Sequence, residues 1–238
     1  MRIILIFLTC SSLLFSSCID ILEDMVLRKD GTGIYTYITD LSGMYKGGMM
    51  KMLPKQEQGE GNDKMPDMDT LITGKELAAK DTGGNSAIWE KVTMRIEANE
   101  DKELYKVTFK LAFDHVDEIA YVMKNINKVS GSANKAGASD NSGLSGKLDG
   151  LTVSYSFDGK SFKRVTETVP VQGEDENRDM MKMFLDDATY KVVYHFPSKI
   201  KGTTLKDAQI SDNTLTKEVK ILDIMDDKKP FDGMVKFK

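Results

Sequence analysis

The sequence has 238 residues, of which 40% are hydrophobic and 29% charged, with a formal net charge of -4 and a pI near 5.4. The length and the hydrophobic fraction suffice for a domain with a substantial core. The acidic balance argues against nucleic-acid binding, which usually needs a basic patch. Two Cys and two His argue against zinc fingers, disulfide scaffolds and multi-His metal sites.

The N-terminal segment is typical of a lipoprotein signal peptide. Arg2 supplies a positive start, and the 13 residues Ile3–Phe15 form an apolar stretch. This stretch is too short for a bilayer span of about 20 residues. Ser16 and Ser17 lead directly to Cys18, and the segment resembles a bacterial lipobox, in which a diacylglycerol is attached to the Cys thiol before cleavage. The alternative is an ordinary secretory signal that happens to contain this Cys.

Lipidation would account for both cysteines of the chain. Cys10 would leave with the signal peptide, residues 1–17, and Cys18 would carry the lipid, with palmitate among its acyl chains. We expect a single α+β domain over residues 18–238, held at the membrane by the lipid because an acidic protein gains nothing from anionic headgroups. No later stretch approaches 18 apolar residues, so we expect no further membrane span.

The mature chain begins with the first of three predicted units, each a β-hairpin followed by a helix. Met25–Leu27 and Ile34–Thr39 read as strands, and the Asp30-Gly31 pair between them predicts a tight turn. A helix is predicted over Leu41–Leu53. The stretch near residues 55–69 is long and polar, and we expect a mobile surface loop there.

The second unit follows the same plan and contains the most regular predicted helix. Val92–Ile96 and Leu104–Phe113 alternate as strands, and Asp114 is placed to cap the helix. Its apolar stripe consists of Val116, Ile119, Ala120, Met123 and Ile126. A second mobile loop is expected near residues 130–146, which are rich in Gly, Ser and Asn.

The third unit leads into an all-β tail. Leu151–Phe157 and Ser161–Val169 flank an Asp-Gly turn at Gly159, and a helix is predicted over Glu174–Asp187. The tail strands are predicted at Tyr190–Phe196, Ala208–Ile210, Leu215–Leu222 and Met234–Phe237.

These elements together favour an α+β fold. Hairpins with inserted helices predict an antiparallel sheet built from successive hairpin-plus-helix units, with helices packed on one face and an all-β C-terminal tail. Parallel pairing is disfavoured because the strand-helix-strand alternation and Gly-rich phosphate loops of doubly wound folds are missing.

The opening of the mature chain carries a family resemblance. The run from Cys18 to Tyr35, with its Asp-Gly turn, resembles the mature start of uncharacterised lipoproteins of Bacteroidota-type bacteria. Tyr194–Ile200 and Ala208–Leu222 are similar to their C-terminal hairpin region. A more distant similarity is to LppM-type lipoprotein domains. The resemblance implies a lipid anchor and a fold, and it brings no catalytic motif.

Candidate chemistry is sparse. A Ser-His-Asp hydrolase needs a positioned His and a nucleophile, yet no G-x-S-x-G elbow accompanies His115 or His195. His115 and Glu118 share a helical face and could hold one metal ion, although a solvated helix start explains both. The acidic pairs Asp186-Asp187 and Asp226-Asp227 lie at element ends beside lysines, where carboxylates usually remain hydrated. Residues 140–149 have the composition of a calcium loop without its ligand order or closing Glu.

Two apolar features invite a binding interpretation. Trp89 is the only Trp, and a core role is favoured over carbohydrate stacking. Seven of the 15 Met lie in two predicted helices, which we expect to pack on the same face of the sheet. Core filling is the simpler explanation, and a groove for an acyl chain or apolar peptide is the alternative. The seven methionines of the two predicted helices are Met44, Met49, Met50, Met52, Met180, Met181 and Met183.

The functional prediction is therefore a lipid-anchored, non-enzymatic cell-envelope protein with a binding or envelope-assembly role. The outer membrane is favoured, with the domain facing the periplasm or the cell surface. The expected partners are the membrane, through the lipid on Cys18, and an envelope protein or an apolar ligand. No nucleic acid, cofactor or metal is expected. The alternatives are a periplasmic carrier or chaperone for an apolar ligand, favoured by a cavity under the helices, and an unrecognised hydrolase.

Overall fold

The computed structural model describes most of the chain after the predicted signal peptide. The described residues are 19–46, 67–81, 83–130, 151–168, 185–225 and 229–238. They form twelve strands, arranged in two sheets, and five helices.

The larger sheet has eight strands in the order β10-β11-β8-β1-β2-β5-β4-β3. Adjacent strands of this sheet pair antiparallel, except that β1 and β8 pair parallel. The strands are β1 (Asp20–Leu27), β2 (Gly33–Asp40), β3 (Met68–Thr73), β4 (Val92–Asn99), β5 (Leu104–Phe113), β8 (Thr189–His195), β10 (Gln209–Ser211) and β11 (Thr214–Lys220).

The smaller sheet has four antiparallel strands in the order β6-β7-β12-β9. They are β6 (Leu151–Phe157), β7 (Ser161–Thr168), β9 (Ile200–Thr203) and β12 (Gly233–Phe237). The helices are α1 (Ser42–Lys46), α2 (Gly74–Ala78), α3 (Ser86–Trp89), α4 (Asp117–Ser130) and α5 (Ile221–Met225).

One face of the larger sheet faces the hydrophobic core, and the alternation of buried and exposed side chains along each strand identifies that face. In β1 the odd-numbered side chains Ile21, Met25 and Leu27 are buried, while Asp20 and Val26 are exposed. Side chains of a strand point alternately to the two faces, so one face collects the buried set. Burying each large apolar side chain stabilises the fold by roughly 1.5–3 kcal/mol.

The smaller sheet covers this face through a layer of aromatic rings. The ring centroids of Phe162 on β7 and Tyr194 on β8 are 5.5 Å apart, and those of Tyr155 on β6 and Tyr35 on β2 are 6.3 Å apart. Helix α4 packs beside β6 with Ile119 and other apolar residues buried. Edge-on ring pairs at these distances add to the stabilisation from buried area.

The α+β prediction is confirmed, as are the two Asp-Gly turns. Gly31 joins β1 to β2 with φ +87°, and Gly159 joins β6 to β7 with φ +81°. Strands β5 and β6 have the predicted bounds. Trp89 is fully buried in the core, as expected.

The sheet arrangement differs from the sequence prediction. The third hairpin does not extend the first sheet but joins β9 and β12 in a second one. The parallel β1–β8 pair was disfavoured by the sequence analysis. It arises because the connection from β1 to β8 is long enough to bring the later strand back beside the first, which adjacent hairpins cannot do.

Several predicted segments are shorter than expected or lie outside the described residues. The helix predicted over Leu41–Leu53 is described only as α1, and α4 begins at Asp117 rather than directly after Asp114. The loop predicted near 55–69 overlaps β3, which begins at Met68. Residues 1–18, 47–66, 131–150 and 169–184 lie outside the described residues, and with them the signal peptide, most of both loops and most of the helix predicted over Glu174–Asp187.

Gly31→Ala should destabilise the β1–β2 hairpin by about 1–2 kcal/mol, because a side chain at positive φ is strained even where space is open. Gly202→Ala is the matched control, since nothing lies within 4 Å of the added Cβ and the φ of Gly202 is not in the left-handed region. Urea unfolding followed by circular dichroism measures both. Equal stability of the two variants would contradict the strained-turn interpretation.

Candidate functional site

A charged side chain occupies the centre of the core. Glu23 lies on β1 at the same inward-facing parity as Ile21 and Met25, and it is 0% exposed. An unpaired buried carboxylate would cost several kcal/mol. The surroundings of Glu23 therefore have to supply donors and a counter-charge.

Three tyrosine hydroxyls supply most of the donors. Oε1 of Glu23 accepts hydrogen bonds from Tyr155 at 2.7 Å and from Tyr194 at 2.5 Å, and Oε2 accepts one from Tyr190 at 2.6 Å. Tyr190 and Tyr194 flank Val192, which is the register partner of Glu23 in the parallel β1–β8 pair. The parallel pairing thus places two phenols of one strand around one carboxylate.

Arg164 supplies the counter-charge from the opposite sheet. It is the cross-strand partner of Tyr155, it is 3% exposed, and its Nη2 lies 3.4 Å from Oε2 of Glu23. Its Nη1 donates to Thr166 Oγ1 at 2.8 Å, and the guanidinium sits 5.2 Å from the ring centroid of Phe231. We call Glu23, Tyr155, Arg164, Tyr190 and Tyr194 the Glu23 cluster.

Burial and the charge of Glu23 shift the ionisation of the cluster. Desolvation, followed by repulsion from Glu23, raises the pKa of Tyr155, Tyr190 and Tyr194 well above its usual value. Burial disfavours the charged form of Arg164, but the combined interactions with Glu23, Tyr194, Tyr155 and Tyr190 outweigh it and hold the pKa of the guanidinium well above its ordinary range. At neutral pH the phenols stay protonated and remain donors.

The hydrogen bonds and the ion pair of the Glu23 cluster connect the two sheets. A carboxylate has about four lone-pair positions, and the three phenols and the guanidinium contact both of its oxygens. A substrate or metal ion could reach Glu23 only by displacing these donors and separating the sheets. We therefore interpret the cluster as structural.

The open surface lies at the end of the sheets where β1 turns into β2. A cleft of ≈ 370 Å³ is lined there by both Asp-Gly turns and by the residues that precede and begin α4. Lys29, His115 and Asp117 contribute its charged and polar side chains. The cleft can offer polar contacts to a partner, and we call it the turn cleft.

Two further carboxylates of the turn cleft are already used inside their own turns. Asp30 accepts hydrogen bonds from the amide and hydroxyl of Thr32, and Asp158 accepts from the amides of Lys160 and Ser161. These hydrogen bonds lower the pKa of both carboxyl groups below the usual value. Both side chains hold the turns in shape, which explains why Asp precedes Gly in each.

The residues proposed from sequence for metal binding have other contacts. His115 is exposed in the turn before α4, whereas Oε2 of Glu118 lies 2.6 Å from Nζ of Lys91. Within the described ranges, no group of three or more His, Cys, Asp or Glu side chains is placed to hold a metal ion. The calcium-like segment, residues 140–149, lies outside those ranges.

The other candidates are dispersed over the surface. His195 lies on the outer face of β8, with Nε2 3.7 Å from Asp24 and Nδ1 3.2 Å from the Thr214 hydroxyl. Asp186 is 3.8 Å from Nζ of Lys220. Cys18 and the pair Asp226-Asp227 lie outside the described residues.

Of the seven clustered methionines only Met44 is described, half-buried against the core. No helix in the described part of the chain is long and apolar enough to cross a membrane.

Sequence reasoning missed the Glu23 cluster, although a signal was present. Glu23 and Arg164 each interrupt a run of inward-facing residues, Ile21 to Leu27 on β1 and Phe162 to Thr166 on β7. Lys217 does the same on β11 and donates to the carbonyls of Lys206 and Pro230. A charge at core parity indicates that buried polar partners surround it, but parity alone does not identify those partners.

Glu23→Ala should destabilise the protein by about 3–5 kcal/mol, because it removes the acceptor of three phenols and leaves the buried Arg164 with only the partly exposed Asp232, 3.8 Å from its Nη1, as a negative partner. Glu23→Gln should cost less, since the amide oxygen still accepts. Glu218→Gln, which removes a half-exposed carboxylate 3.8 Å from Lys191, is the control and should change stability by no more than about 0.5 kcal/mol. Urea unfolding measures all three, and equal losses for Glu23→Ala and Glu218→Gln would contradict the cluster's structural role.

Stability should fall steeply as the pH rises above about 10. Below that pH the phenols are protonated in both states, and the cluster contributes fully. Above it the unfolded chain loses phenol protons that the folded cluster keeps, because the folded pKa values are raised. The free energy of unfolding then drops by up to about 1.4 kcal/mol per pH unit for each such tyrosine.

Urea unfolding across a pH series, with phenolate absorbance recorded in parallel, measures this dependence. Tyr155→Phe removes one of the titrating groups and should show a shallower slope. If all eight tyrosines gave phenolate absorbance at a pH of about 10 while the protein was still folded, the cluster would be open to solvent.

Comparison with known proteins adds little to this site. No family model and no curated protein matches the chain. Among solved structures, the NMR structure of the folded domain of LppM from Mycobacterium tuberculosis matches with 10% sequence identity and a TM-score of 0.35, over 93% of this chain and 91% of that chain. This is a distant similarity that supports no functional argument, and the resemblance to Bacteroidota-type lipoproteins stays a prediction.

Proposed function

We propose that this chain is a lipid-anchored, non-enzymatic protein of the bacterial cell envelope, with a role in binding or envelope assembly. The observation that carries the proposal is the N-terminal pattern: Arg2, the apolar stretch Ile3–Phe15, and Ser16-Ser17 directly before Cys18. Processing would leave Cys18 as the first residue, with a diacylglycerol, and palmitate among the acyl groups. The outer membrane is the favoured site, with the domain facing the periplasm or the cell surface.

The start of the folded region supports this assignment. Ile19 is 1% exposed, and its carbonyl accepts a hydrogen bond from the amide of Thr189 at 3.0 Å. The residue directly after Cys18 is therefore already part of the described fold, at the point where processing would place the new N-terminus. An ordinary secretory signal would give no reason for a cysteine at this junction.

A role in assembly is favoured over the carriage of an apolar ligand. Around Glu23 the space between the sheets is filled by the Glu23 cluster and by rings such as Phe162 and Phe231. A carrier needs apolar space that a ligand can enter. The described surface instead offers the polar turn cleft, which suits contacts with an envelope protein.

Cys18→Ser should abolish metabolic acyl labelling and release the exported protein from the membrane fraction, because an acidic chain is not attracted to anionic headgroups. Cys10→Ser is the matched control, since it removes the other cysteine and should leave labelling unchanged. Labelling is measured with a clickable fatty acid in the bacterium that makes the protein. Normal labelling of the Cys18→Ser variant would overturn the proposal.

A further inference from the structure

We infer that the lipid anchor fixes the orientation of the domain, with the tip of the β4–β5 hairpin at the bilayer surface and the turn cleft at the far end. This inference rests on the proposed lipidation of Cys18. The sequence predicts a lipid anchor but does not say which end of the domain faces the membrane, and this inference assigns that end.

The first step is that Cys18 is directly adjacent in the sequence to Ile19, which is already part of the described fold. Consecutive Cα atoms are about 3.8 Å apart, so the lipid glycerol lies within about 10 Å of the Cα of Ile19. Ile19 is buried, and the Asp20 carboxylate accepts a hydrogen bond from the Thr189 hydroxyl at 2.7 Å. A lipoprotein with a long polar linker could rotate freely above the membrane, but this chain is held at its second residue.

The second step is that β1 cannot detach to create a linker. It is an interior strand, paired along its length with β2 on one side and β8 on the other. It also carries Glu23, whose hydrogen bonds hold the two sheets together. Peeling off the start of β1 would break ladder hydrogen bonds on both sides and expose Ile19 and Ile21.

The third step is that the β4–β5 hairpin ends at the anchored end, where α1 and α5 also begin. Asp20 is level with Asp40, and Asp40 with Lys106, across adjacent strands. The β4–β5 hairpin continues two residues beyond Lys106 to Leu104 before its turn at residues 100–103. At about 3.3 Å per residue, the turn projects about 7 Å past the level of Asp20, toward the headgroups.

The opposite end carries the turn cleft. β1 has 8 residues, Asp20–Leu27, and extends about 23 Å before the turn that contains Lys29 and Gly31. Lys102 and Lys29 therefore lie about 30 Å apart, at opposite ends of the same sheet. This geometry directs the turn cleft away from the lipid, where an envelope partner can reach it.

The test uses the lack of other thiols in the mature chain. Lys102→Cys and Lys29→Cys each replace an exposed turn lysine, so they form a matched pair with the same loss of charge. Each full-length lipidated variant is labelled with a small fluorophore and reconstituted into phosphatidylcholine vesicles that contain a headgroup-nitroxide lipid. The label at position 102 should be quenched several-fold more than the label at position 29.

Equal quenching at the two positions, or stronger quenching at position 29, would overturn the orientation. A variant with a ten-residue Gly-Ser insertion between Cys18 and Ile19 should lose most of the difference. An unchanged difference would show that surface contacts rather than the short anchor set the orientation. Failure of the proposed function is distinguishable, because an unacylated protein would not float with the vesicles at all.

Discussion

A carboxylate buried between two sheets has to be matched with donors and a positive charge, because the interior offers no water to solvate it. Glu23 meets this requirement with two tyrosines of its own sheet and with Tyr155 and Arg164 of the opposite sheet. The donors can converge only when the β1–β8 register and the position of the β6–β7 hairpin are both correct. The Glu23 cluster therefore constrains how the two sheets pack, which apolar contacts alone would constrain less strictly.

Such a cluster is weak evidence for stability, since a well-packed apolar replacement is often as stable as a buried ion pair. Its value here lies in specificity. Phe162, Phe196, Phe231 and Phe237 form much of the ring layer around the cluster, and rings of similar size could pack in more than one arrangement. A single acceptor that needs four donors favours one arrangement over the others.

With the proposed lipid on Cys18, the same strand would join the core to the membrane. β1 carries Glu23 at its centre and begins two residues after Cys18. A force on that anchor would act directly on an interior strand of the larger sheet, which is paired on both sides. Under the proposed lipidation, the absence of a long linker between Cys18 and β1 would hold the domain in a defined orientation, which would suit a component of an assembly better than a mobile carrier.

The sequence by itself determined the elements whose signal is local. Alternation located β5, β6 and β8, and Asp-Gly predicted the turns at Gly31 and Gly159, because side-chain parity and positive φ are properties of neighbouring residues. Tertiary structure alone decided the split into two sheets, the parallel β1–β8 pair and the partners of Glu23. These depend on residues far apart in the chain: the Tyr155, Tyr190 and Tyr194 hydroxyls lie 132, 167 and 171 positions from the carboxylate they share. A charge at core parity was visible in the sequence, but only packing brings its donors together.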